Sequence, residues 1–482
     1  MGRNYKNLVG GNFVAARNGE TLAVFNPARP SEQVGSVPAM GLQDLDHVFE
    51  VASEGARTWR AQGSLSRGAV LLRAAQLIRK RSADLTDLIV SEMGKTTAEA
   101  SGEVGKAAEF FEYYGSMGRD EFGQFLPDGR DGTFAARLIE PLGVVLLITP
   151  WNDPLVTPAR KLGPALLAGN AVVIKPALLA PLVTLALAEI LHEAGLPAGT
   201  LGTVTGRVAD LGDRLIEHES IKAVSFTGST AVGKSLQRRL AGSGVRVQTE
   251  MGGKNAAVVL DDADLDIVVP TILAGAFAQA GQRCTATSRL IVQRGIASQV
   301  REAVTRAVEE LRVGPGSQEG VDLGPVADER AQSTIRDHVS RALAQGASVL
   351  ARPTLTGQAA LEGHFVEPTF LSVDAQQDIW REEVFGPVLA MVEVDTMTEA
   401  IALVNDSEYG LSSSVFTRDL GNAFAFINAV ETGQVSINQP TSGWDVHHPF
   451  GGFKDSGSGY KEQAHDGIAF YSKVKTVAIR TH

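Results

Sequence analysis

Three polar side chains have the types needed for nucleophilic attack on a carbonyl group. Cys284 is the only cysteine among 482 residues, and it stands in AGQRCTATSRL (280–290) behind small and polar residues. A thiolate nucleophile needs a general base and a donor for the oxyanion that forms. Glu250 ends RVQTE and could be the base, and Asn152 follows the apolar run of ITPWN and could be the donor. Taken singly, each has a simpler interpretation: inert buried thiol, surface charge or helix cap, and turn former.

A second motif indicates a different chemistry. FTGSTAVGKS (226–235) satisfies G-x-x-x-x-G-K-[ST] over 228–235, the pattern of loops that bind the phosphates of nucleoside triphosphates. AAVVLD (256–261) resembles the strand whose aspartate binds magnesium in such phosphoryl-transfer enzymes. Residues 229–232 hold no further glycine, which disfavours a wide backbone cradle. An ordinary strand-to-helix turn with a Ser or Thr cap remains the simpler alternative.

The elements around these residues alternate between short apolar strands and helices. From residue 143 the predicted order is strand GVVLLIT, helix PARKLGPALLAG, strand NAVVIKP, helix LVTLALAEILHEAG, strand GTLGTVTG, helix LGDRLIEH and strand IKAVSFTG. This alternation predicts a doubly wound parallel sheet, whose ligands bind beyond the carboxyl ends of its strands. A second α/β series begins near residue 254, and Cys284 shortly precedes its strand SRLIVQ.

The flanking segments have simpler patterns. Apolar spacing near 3.6 predicts helices over 44–60, 66–94 and 97–118. QFLPDGRDGTF (124–134) interrupts that pattern. TFAARLIE and the last stretch, GIAFYSKVKTVAIRTH (467–482), alternate apolar and polar positions and predict strands.

Composition limits the classes of partner. Hydrophobic residues make up 44% and charged residues 21%, which is typical of a soluble globular chain with two or three domains. The net charge of −11 argues against nucleic acid as a partner. The sequence has neither a signal-like N-terminus nor an apolar run of membrane-spanning length, so no membrane partner is expected. One cysteine excludes an intrachain disulfide, and we expect a reducing, cytoplasmic location.

Seven segments in the same order and spacing resemble the aldehyde dehydrogenase superfamily nearly end to end. They are ITPWN (148–152), NAVVIKPA (170–177), FTGSTAVG (226–233), EMGGKNAAVVLDDADLD (250–266), GQRCTATSRLIV (281–292), EEVFGPV (382–388) and PFGGFKDSGSG (449–459). The resemblance implies that the triphosphate-like motif instead carries a dinucleotide, NAD or NADP.

The resemblance also implies a fold, an aldehyde-dehydrogenase-like α/β architecture. A Rossmann-type dinucleotide domain would take 1–122 and 142–253, and an α/β catalytic domain 254–465. A small β oligomerisation arm would take 123–141 and 466–482 and would join a homodimer or homotetramer.

The implied activity is oxidation of an aldehyde to its acid. Cys284 would form a thiohemiacetal, whose oxyanion Asn152 and the backbone N–H of Cys284 would stabilise. Loss of hydride to the nicotinamide would leave a thioester, which water activated by Glu250 would hydrolyse. Lys161 would complete the catalytic set. The cofactor would contact Thr149, Pro150, Trp151, Lys175, Gly206, Phe226, Gly228, Ser229, Met251, Glu383 and Phe385, and no metal would be required.

The substrate would contact Arg160, Arg283, Thr285, Trp444 and Phe450. Arg160 could bind a carboxylate at the far end of a semialdehyde, as expected for the 2-oxoglutarate semialdehyde group, or it could be an ordinary surface arginine. Trp444, His447 and His448 could instead form a pocket for an aromatic aldehyde.

Two positions depart from the family pattern. Leu178 stands where NAD-preferring members usually have a glutamate that binds the adenosine ribose, so both NAD and NADP remain open. In GSGYKEQ, Glu462 is displaced by one position and Lys461 takes its place. This displacement puts in doubt a proton relay from Glu462 through Lys161 to Glu250.

Overall fold

A computed structural model describes residues 3–120, 122–357 and 362–480. The first part contains β1 (Arg3–Asn4), β2 (Asn7–Val9), β3 (Asn12–Val14), β4 (Thr21–Asn26), β5 (Arg29–Pro38), α1 (Leu42–Ala61), α2 (Ser64–Lys80), α3 (Ser82–Met93), α4 (Thr97–Ser116), β6 (Gly123–Leu126) and β7 (Thr133–Pro141). The second part contains β8 (Val144–Thr149), α5 (Val156–Leu167), β9 (Ala171–Pro176), α6 (Leu182–Glu193), β10 (Leu201–Thr203), α7 (Val208–Leu211), α8 (Arg214–Glu217), β11 (Ile221–Thr227), α9 (Thr230–Leu240) and β12 (Arg246–Glu250).

The third part contains β13 (Asn255–Val259), α10 (Leu265–Phe277), β14 (Thr287–Gln293), α11 (Arg294–Glu309), α12 (Glu329–Ala344), β15 (Ser348–Ala351), β16 (Thr369–Ser372), α13 (Asp378–Arg381), β17 (Val388–Val394), α14 (Met397–Asn405), β18 (Tyr409–Gly410), β19 (Ser412–Phe416), α15 (Leu420–Ala429), β20 (Gln434–Ile437), β21 (Phe453–Lys454), α16 (Ala464–Phe470) and β22 (Ser472–Arg480). Short 3₁₀ helices follow α4 at Met117–Arg119 and α10 at Ala278–Gly281.

A five-stranded parallel sheet in the order β10-β9-β8-β11-β12 forms the first α/β unit. Its strands are apolar on both faces because helices cover both faces. In β8, Val145 and Leu147 pack into the core that contains α2, α4, α5 and α6, whereas Val144 and Leu146 face the core that contains α1. The alternation of faces along the strand thus separates two cores, and the predicted parallel sheet is confirmed.

A seven-stranded sheet in the order β15-β16-β17-β14-β13-β19-β20 forms the second α/β unit, with only β15 antiparallel. Ala257 and Val259 of β13 pack toward α10 and α11, and Ala256 and Val258 pack toward α14 and α15. The carboxyl ends of the two parallel sheets supply the site described below.

A small antiparallel sheet joins the two distant segments expected to form an arm. β7 pairs with β6 on one side and with β22 on the other, from Ser472 opposite Pro141 to Arg480 opposite Thr133. The prediction of one strand over 467–482 is wrong at its start, because α16 occupies Ala464–Phe470 and packs on α5. Residues 481–482 lie outside the described residues.

Two helix predictions also need correction. The periodic stretch 66–94 is two helices, since Arg81 leaves helical geometry at φ −101° and ψ 18°. The helix predicted over LGDRLIEH is only four residues, α8, which α7 precedes. None of the helices among the described residues is both long and apolar enough to cross a membrane.

Candidate active site

Cys284 lies in a loop between a 3₁₀ helix and β14, and its side chain is partly exposed. It borders a cavity of about 570 Å³. The loop passes very close to another segment, since a β-carbon on Gly281 would lie 2.1 Å from the carbonyl oxygen of Gly386. Glycine is also suited to the φ of 69° at this position. The small residue ahead of the thiol is therefore required by the backbone.

The surroundings of the thiol disfavour its ionised form. Burial raises the pKa of Cys284 to about 12, and the nearby guanidinium of Arg160 offsets this only in part. A neutral thiol is a weak nucleophile, so attack on a carbonyl requires that its proton be removed as the reaction begins.

Asn152 follows β8 and lines the same cavity as Cys284. Its Nδ2 donates a 3.0 Å hydrogen bond to the carbonyl oxygen of Gln282, two residues before the nucleophile. An amide held against this loop is placed to donate to an oxygen atom that develops charge beside the sulfur.

Glu250 ends β12, but its side chain is absent from the residues that line the cavity. Neither carboxylate oxygen has a hydrogen-bond partner among the described residues. A β-carbon on Gly451 would lie 2.6 Å from Glu250 Oε1, which places the carboxylate against the C-terminal segment. Burial and the neighbouring Glu462 raise the pKa of Glu250 well above its usual range. The structure thus brings Cys284 and Asn152 together and leaves Glu250 behind them.

Glu462 connects two cations, Arg160 in the cavity wall and the buried Lys161. Its Oε1 contacts Lys161 Nζ, and its Oε2 lies 2.9 Å from Arg160 Nε. Burial opposes ionisation of Glu462, but these two cations outweigh it and lower its pKa. Lys161 also donates to Ser225 Oγ at 2.7 Å. Glu462 therefore contacts Lys161 even though it is displaced by one position from the family pattern.

Lys461 has a separate role in this segment. Its Nζ donates to the carbonyl oxygens of Gly451 and Gly433 and lies 5.0 Å from the centre of the Phe453 ring. Among the described residues, Glu462 is the ion-pair partner of Lys161, and Lys461 instead binds backbone carbonyl oxygens.

All five residues expected to contact substrate line the cavity: Arg160, Arg283, Thr285, Trp444 and Phe450. The alternative of a surface arginine is wrong for Arg160, because its side chain is 13% exposed and its guanidinium lies over the Phe450 ring at 4.8 Å. His447 and His448 are exposed and do not line the cavity.

Several lining residues were absent from the sequence prediction. Lys106 and Phe110 of α4 and Gln463 near the C-terminus border the cavity. On α4, positions 99, 102, 103, 106 and 110 share one face. Their spacing along one helix face was the signal available in the sequence, but it does not show that this face borders a cavity.

The expected cofactor residues divide into two groups. Pro150, Trp151, Gly228, Ser229, Met251, Glu383 and Phe385 line the cavity, whereas Thr149, Lys175, Gly206 and Phe226 do not. Glu383 accepts a 2.8 Å hydrogen bond from the Gly253 N–H, and burial raises its pKa to about 7. Phe385 adopts φ 54° and meets the Trp151 ring at 5.6 Å.

The residues outside the cavity lie at or below the strand ends of the same sheet. Lys175 belongs to the end of β9, and burial lowers its pKa to about 8. Leu178 packs against the apolar core. Phe226 supports the turn above it, since a β-carbon on Gly228 would lie 2.5 Å from its ring. A β-carbon on Gly206 would lie 2.5 Å from the carbonyl oxygen of Met40.

A dinucleotide fits polar atoms that this edge leaves unpaired. Thr149 Oγ1 and Thr227 Oγ1, at the ends of neighbouring strands, are buried without a hydrogen-bond partner among the described residues. The N-terminus of α9, behind Ser229, supplies unpaired N–H groups of the kind that bind phosphate. Within the described ranges, no group of three or more His, Cys, Asp or Glu is placed to hold a metal ion.

The triphosphate-like motif does not form a phosphate loop. Gly233, Lys234 and Ser235 all lie inside α9, which begins at Thr230, so their N–H groups point along the helix. Lys234 forms an ion pair with Asp455. A β-carbon on Gly233 would lie 2.3 Å from Met251 Sδ, so this glycine serves close packing.

Comparisons with known proteins agree with this geometry. A model of the aldehyde dehydrogenase family matches residues 13–477. The alpha-ketoglutarate semialdehyde dehydrogenase of Haloferax volcanii is 42% identical over 476 residues, covering 98% of each chain. A solved NADP-dependent enzyme from E. coli has a TM-score of 0.95 at 36% identity and covers 99% of this chain, with 98% of its own chain matched.

A betaine aldehyde dehydrogenase from Staphylococcus aureus, solved in complex with NAD+, has a TM-score of 0.95 at 31% identity over 99% of this chain and 95% of its own. The predicted family, fold class and enzyme class are thus confirmed, and the phosphoryl-transfer alternative is not favoured. The chain belongs to the aldehyde dehydrogenase family and is an NAD(P)-dependent aldehyde dehydrogenase.

Proposed function

We propose that this enzyme oxidises a semialdehyde that carries a carboxylate, of the 2-oxoglutarate semialdehyde kind, to the dicarboxylic acid. The single observation that carries the proposal is Arg283, which lines the cavity beside Cys284 and forms no ion pair among the described residues, although its charge helps to lower the pKa of the nearby Asp153. Arg160 borders the same cavity. The Haloferax volcanii relative acts, by its name, on such a semialdehyde.

Arg160 is already paired with Glu462, but the acidic residues that line the cavity leave Arg283 without an ion pair among the described residues. Glu103 and Asp153 both form ion pairs with the buried Lys95, at 2.7 and 2.6 Å. Glu383 is held by a backbone N–H. A carboxylate that enters the cavity therefore meets an unpaired guanidinium, which binds it best in a bidentate arrangement.

The chemistry begins at Cys284. Its sulfur forms a bond to the aldehyde carbon as the thiol proton passes to a water molecule in the cavity, and Asn152 Nδ2 donates to the resulting oxyanion. Bound NAD(P) supplies the hydride acceptor that converts the thiohemiacetal to a thioester. Arg160 and Arg283 hold the remote carboxylate, which fixes the aldehyde carbon near the sulfur.

Hydrolysis of the thioester belongs to Glu250. We infer that its carboxylate turns from the Gly451 side toward Cys284 and removes a proton from the attacking water. The raised pKa of Glu250 makes its carboxylate, once ionised, a stronger base toward the attacking water. The contact of Lys161 with Glu462 supports a route by which that proton leaves the buried Glu250.

Both NAD and NADP are proposed as cofactors. Lys175 and the N-terminus of α9 would hold the adenosine ribose and the pyrophosphate, with Gly206 and Phe226 as supports. Glu383 and Phe385 would contact the nicotinamide ribose and ring. Leu178 packs against the core and places no carboxylate near Lys175, so nothing there repels a 2′-phosphate.

A second copy of the chain is the proposed partner. One face of the arm sheet exposes four apolar side chains: Phe125, Phe134, Leu138 and Ile479. Exposed apolar patches of this kind mark association surfaces. We propose a homodimer or homotetramer built on this arm, with the dinucleotide and catalytic domains divided near residue 253 and a cytoplasmic location that keeps Cys284 reduced.

Steady-state kinetics test the substrate class. Reduction of NAD or NADP is followed with 2-oxoglutarate, succinate and glutarate semialdehydes, with pentanal, and with benzaldehyde as the aromatic alternative. Cys284→Ser is expected to abolish turnover. Arg283→Met is expected to raise the KM for the semialdehydes at least about tenfold and to leave that for pentanal unchanged.

Arg306→Met is the matched control, because Arg306 is an exposed arginine on α11 whose ion pair among the described residues is with Glu302. It should leave every KM at the parent value. Equal effects of Arg283→Met on charged and neutral aldehydes, or a preference for benzaldehyde, would contradict the proposed substrate class.

A further inference from the structure

The backbone ahead of the nucleophile is held in a conformation that it would not adopt by itself. Gln279 and Ala280 have φ of 55° and 52°, and Gly281 follows at 69°. Residues other than glycine rarely occupy this left-handed region, and two in succession require support from outside the loop. This stretch, Gln279–Gly281, is called the nucleophile turn below.

Glu99, on the first turn of α4, supplies such support. Its Oε1 accepts a 2.6 Å hydrogen bond from the Gln279 N–H. Its Oε2 accepts the Thr96 N–H at 2.9 Å, while the Glu99 N–H donates to Thr96 Oγ1 at 3.3 Å. Both carboxylate oxygens are therefore used, one in the capping box of the helix and one in the nucleophile turn.

The side chain of Gln279 extends this support to the loop of Asn152. Gln279 Nε2 donates to Asp153 Oδ1 at 3.2 Å, next to Asn152 in the chain. Lys95 joins Asp153 to Glu103. Gln279 is thus bound at its backbone by α4 and at its side chain by the loop of residues 150–155 that carries Asn152, called the oxyanion loop below.

Glu103 also binds the oxyanion loop directly. Its Oε1 accepts the N–H groups of Leu155 and Val156, at 2.8 and 3.0 Å, where α5 begins. Residues 95, 99 and 103 around the start of α4 therefore contact both loops that border the thiol.

We propose that Glu99 is a positioning residue, which fixes the nucleophile turn and so sets the distance between the sulfur of Cys284 and the amide of Asn152. The inference rests on the proposed roles of those two residues and adds Glu99 to them. Small displacements of reacting groups reduce rate strongly, so loss of this contact should lower kcat without changing cofactor binding.

The experiment compares Glu99→Ala with Thr96→Ala. Thr96→Ala removes the other half of the capping box and leaves the Gln279 contact intact, so it measures the effect of helix capping alone. We expect Glu99→Ala to lower kcat about 10- to 100-fold with an unchanged KM for NAD or NADP. Thr96→Ala should remain within about twofold of the parent.

Glu99→Gln provides a conservative variant with one acceptor oxygen in place of two. One of the Thr96 and Gln279 N–H groups must then face an NH₂ group, and kcat is expected to fall between the parent and Glu99→Ala.

Rescue separates positioning from a structural role. Glycine adopts a left-handed backbone without strain, so Ala280→Gly added to Glu99→Ala should recover at least about threefold in kcat relative to Glu99→Ala alone. A change confined to capping α4 would not be rescued from the nucleophile turn. Equal kcat for Glu99→Ala and Thr96→Ala, or absence of rescue, overturns the inference. Retained turnover in Cys284→Ser would instead overturn the proposed function.

Discussion

Replacing Glu462 with glutamine should both destabilise the protein and move the pH dependence of turnover. The side chains of Glu462 and Lys161 are 3% and 1% exposed, and that of Arg160 is 13% exposed. Glutamine keeps the size of Glu462 but removes its charge, so two cations remain in a buried setting. Removal of one partner from a buried ion pair costs about 3–5 kcal/mol, and glutamine still accepts one hydrogen bond, so we expect about 3 kcal/mol.

The dependence of this loss on pH has a fixed sign. The pKa of Glu462 is lowered in the folded state, so its stabilisation is complete above the ordinary glutamate value of 4.5 and is lost as pH falls through the lower folded value. The difference in unfolding free energy between parent and Glu462→Gln should therefore be full at neutral pH and shrink in acid.

The same substitution should also change the pH dependence of kcat, through its effect on the pKa of Glu250. After burial, the charge of Glu462 is the main cause that raises the pKa of Glu250. Glu462→Gln removes that charge, the pKa of Glu250 falls, and the acidic limb of the kcat profile should move to lower pH.

Denaturant unfolding at two pH values and a pH profile of kcat measure both effects. Glu302→Gln is the matched control, because its pair with Arg306 is exposed and should contribute little. Parent-like stability of Glu462→Gln together with an unmoved acidic limb would refute the reasoning.

Three further changes follow from single contacts. Asn152→Ala should lower kcat about 10²–10³-fold in steady-state assays with little change in cofactor KM. A smaller loss would contradict the role of the Asn152 amide as oxyanion donor. Gly281→Ala would place a β-carbon 2.1 Å from the Gly386 carbonyl oxygen, so its thermal unfolding temperature and kcat should both fall, and a parent-like enzyme would contradict the close approach. Leu178→Glu should raise the KM for NADP about tenfold and spare NAD, because a carboxylate near Lys175 repels the 2′-phosphate; equal changes would exclude this position from discrimination.

The apolar composition of the strands correctly predicted the parallel sheet of the first α/β unit. β8 and β9 are almost wholly apolar, and such runs between helices have few alternatives to buried parallel strands. Because parallel strands end at one edge, β8 and β11 bring Asn152 and Gly228 to the same cavity.

Side-chain direction and long-range contacts were not accessible in the same way. The position of Glu250 depends on Gly451 and Lys461, about 200 residues later in the chain. Likewise, in the sequence the face of α4 that carries Glu99 and Lys106 looks like an ordinary polar stripe. Only the structure shows that it borders the same cavity as Cys284. These contacts are decided by packing between distant segments, which local periodicity does not encode.

The C-terminal error has a local cause. GIAF alternates like a strand over four residues, but one turn of helix gives the same short pattern. Packing of α16 on α5 decides between them, and only Ser472–Arg480 pairs with β7.

The most direct measurement traps the covalent intermediate with Glu250→Gln. Incubation with a carboxylate-bearing semialdehyde and NAD or NADP should yield one reduced cofactor per active site and then stop, since water can accept the thiol proton during thiohemiacetal formation, whereas hydrolysis of the thioester needs Glu250. Mass spectrometry should find the acyl group on Cys284. Continued turnover, or an acyl group on any other residue, would contradict the account.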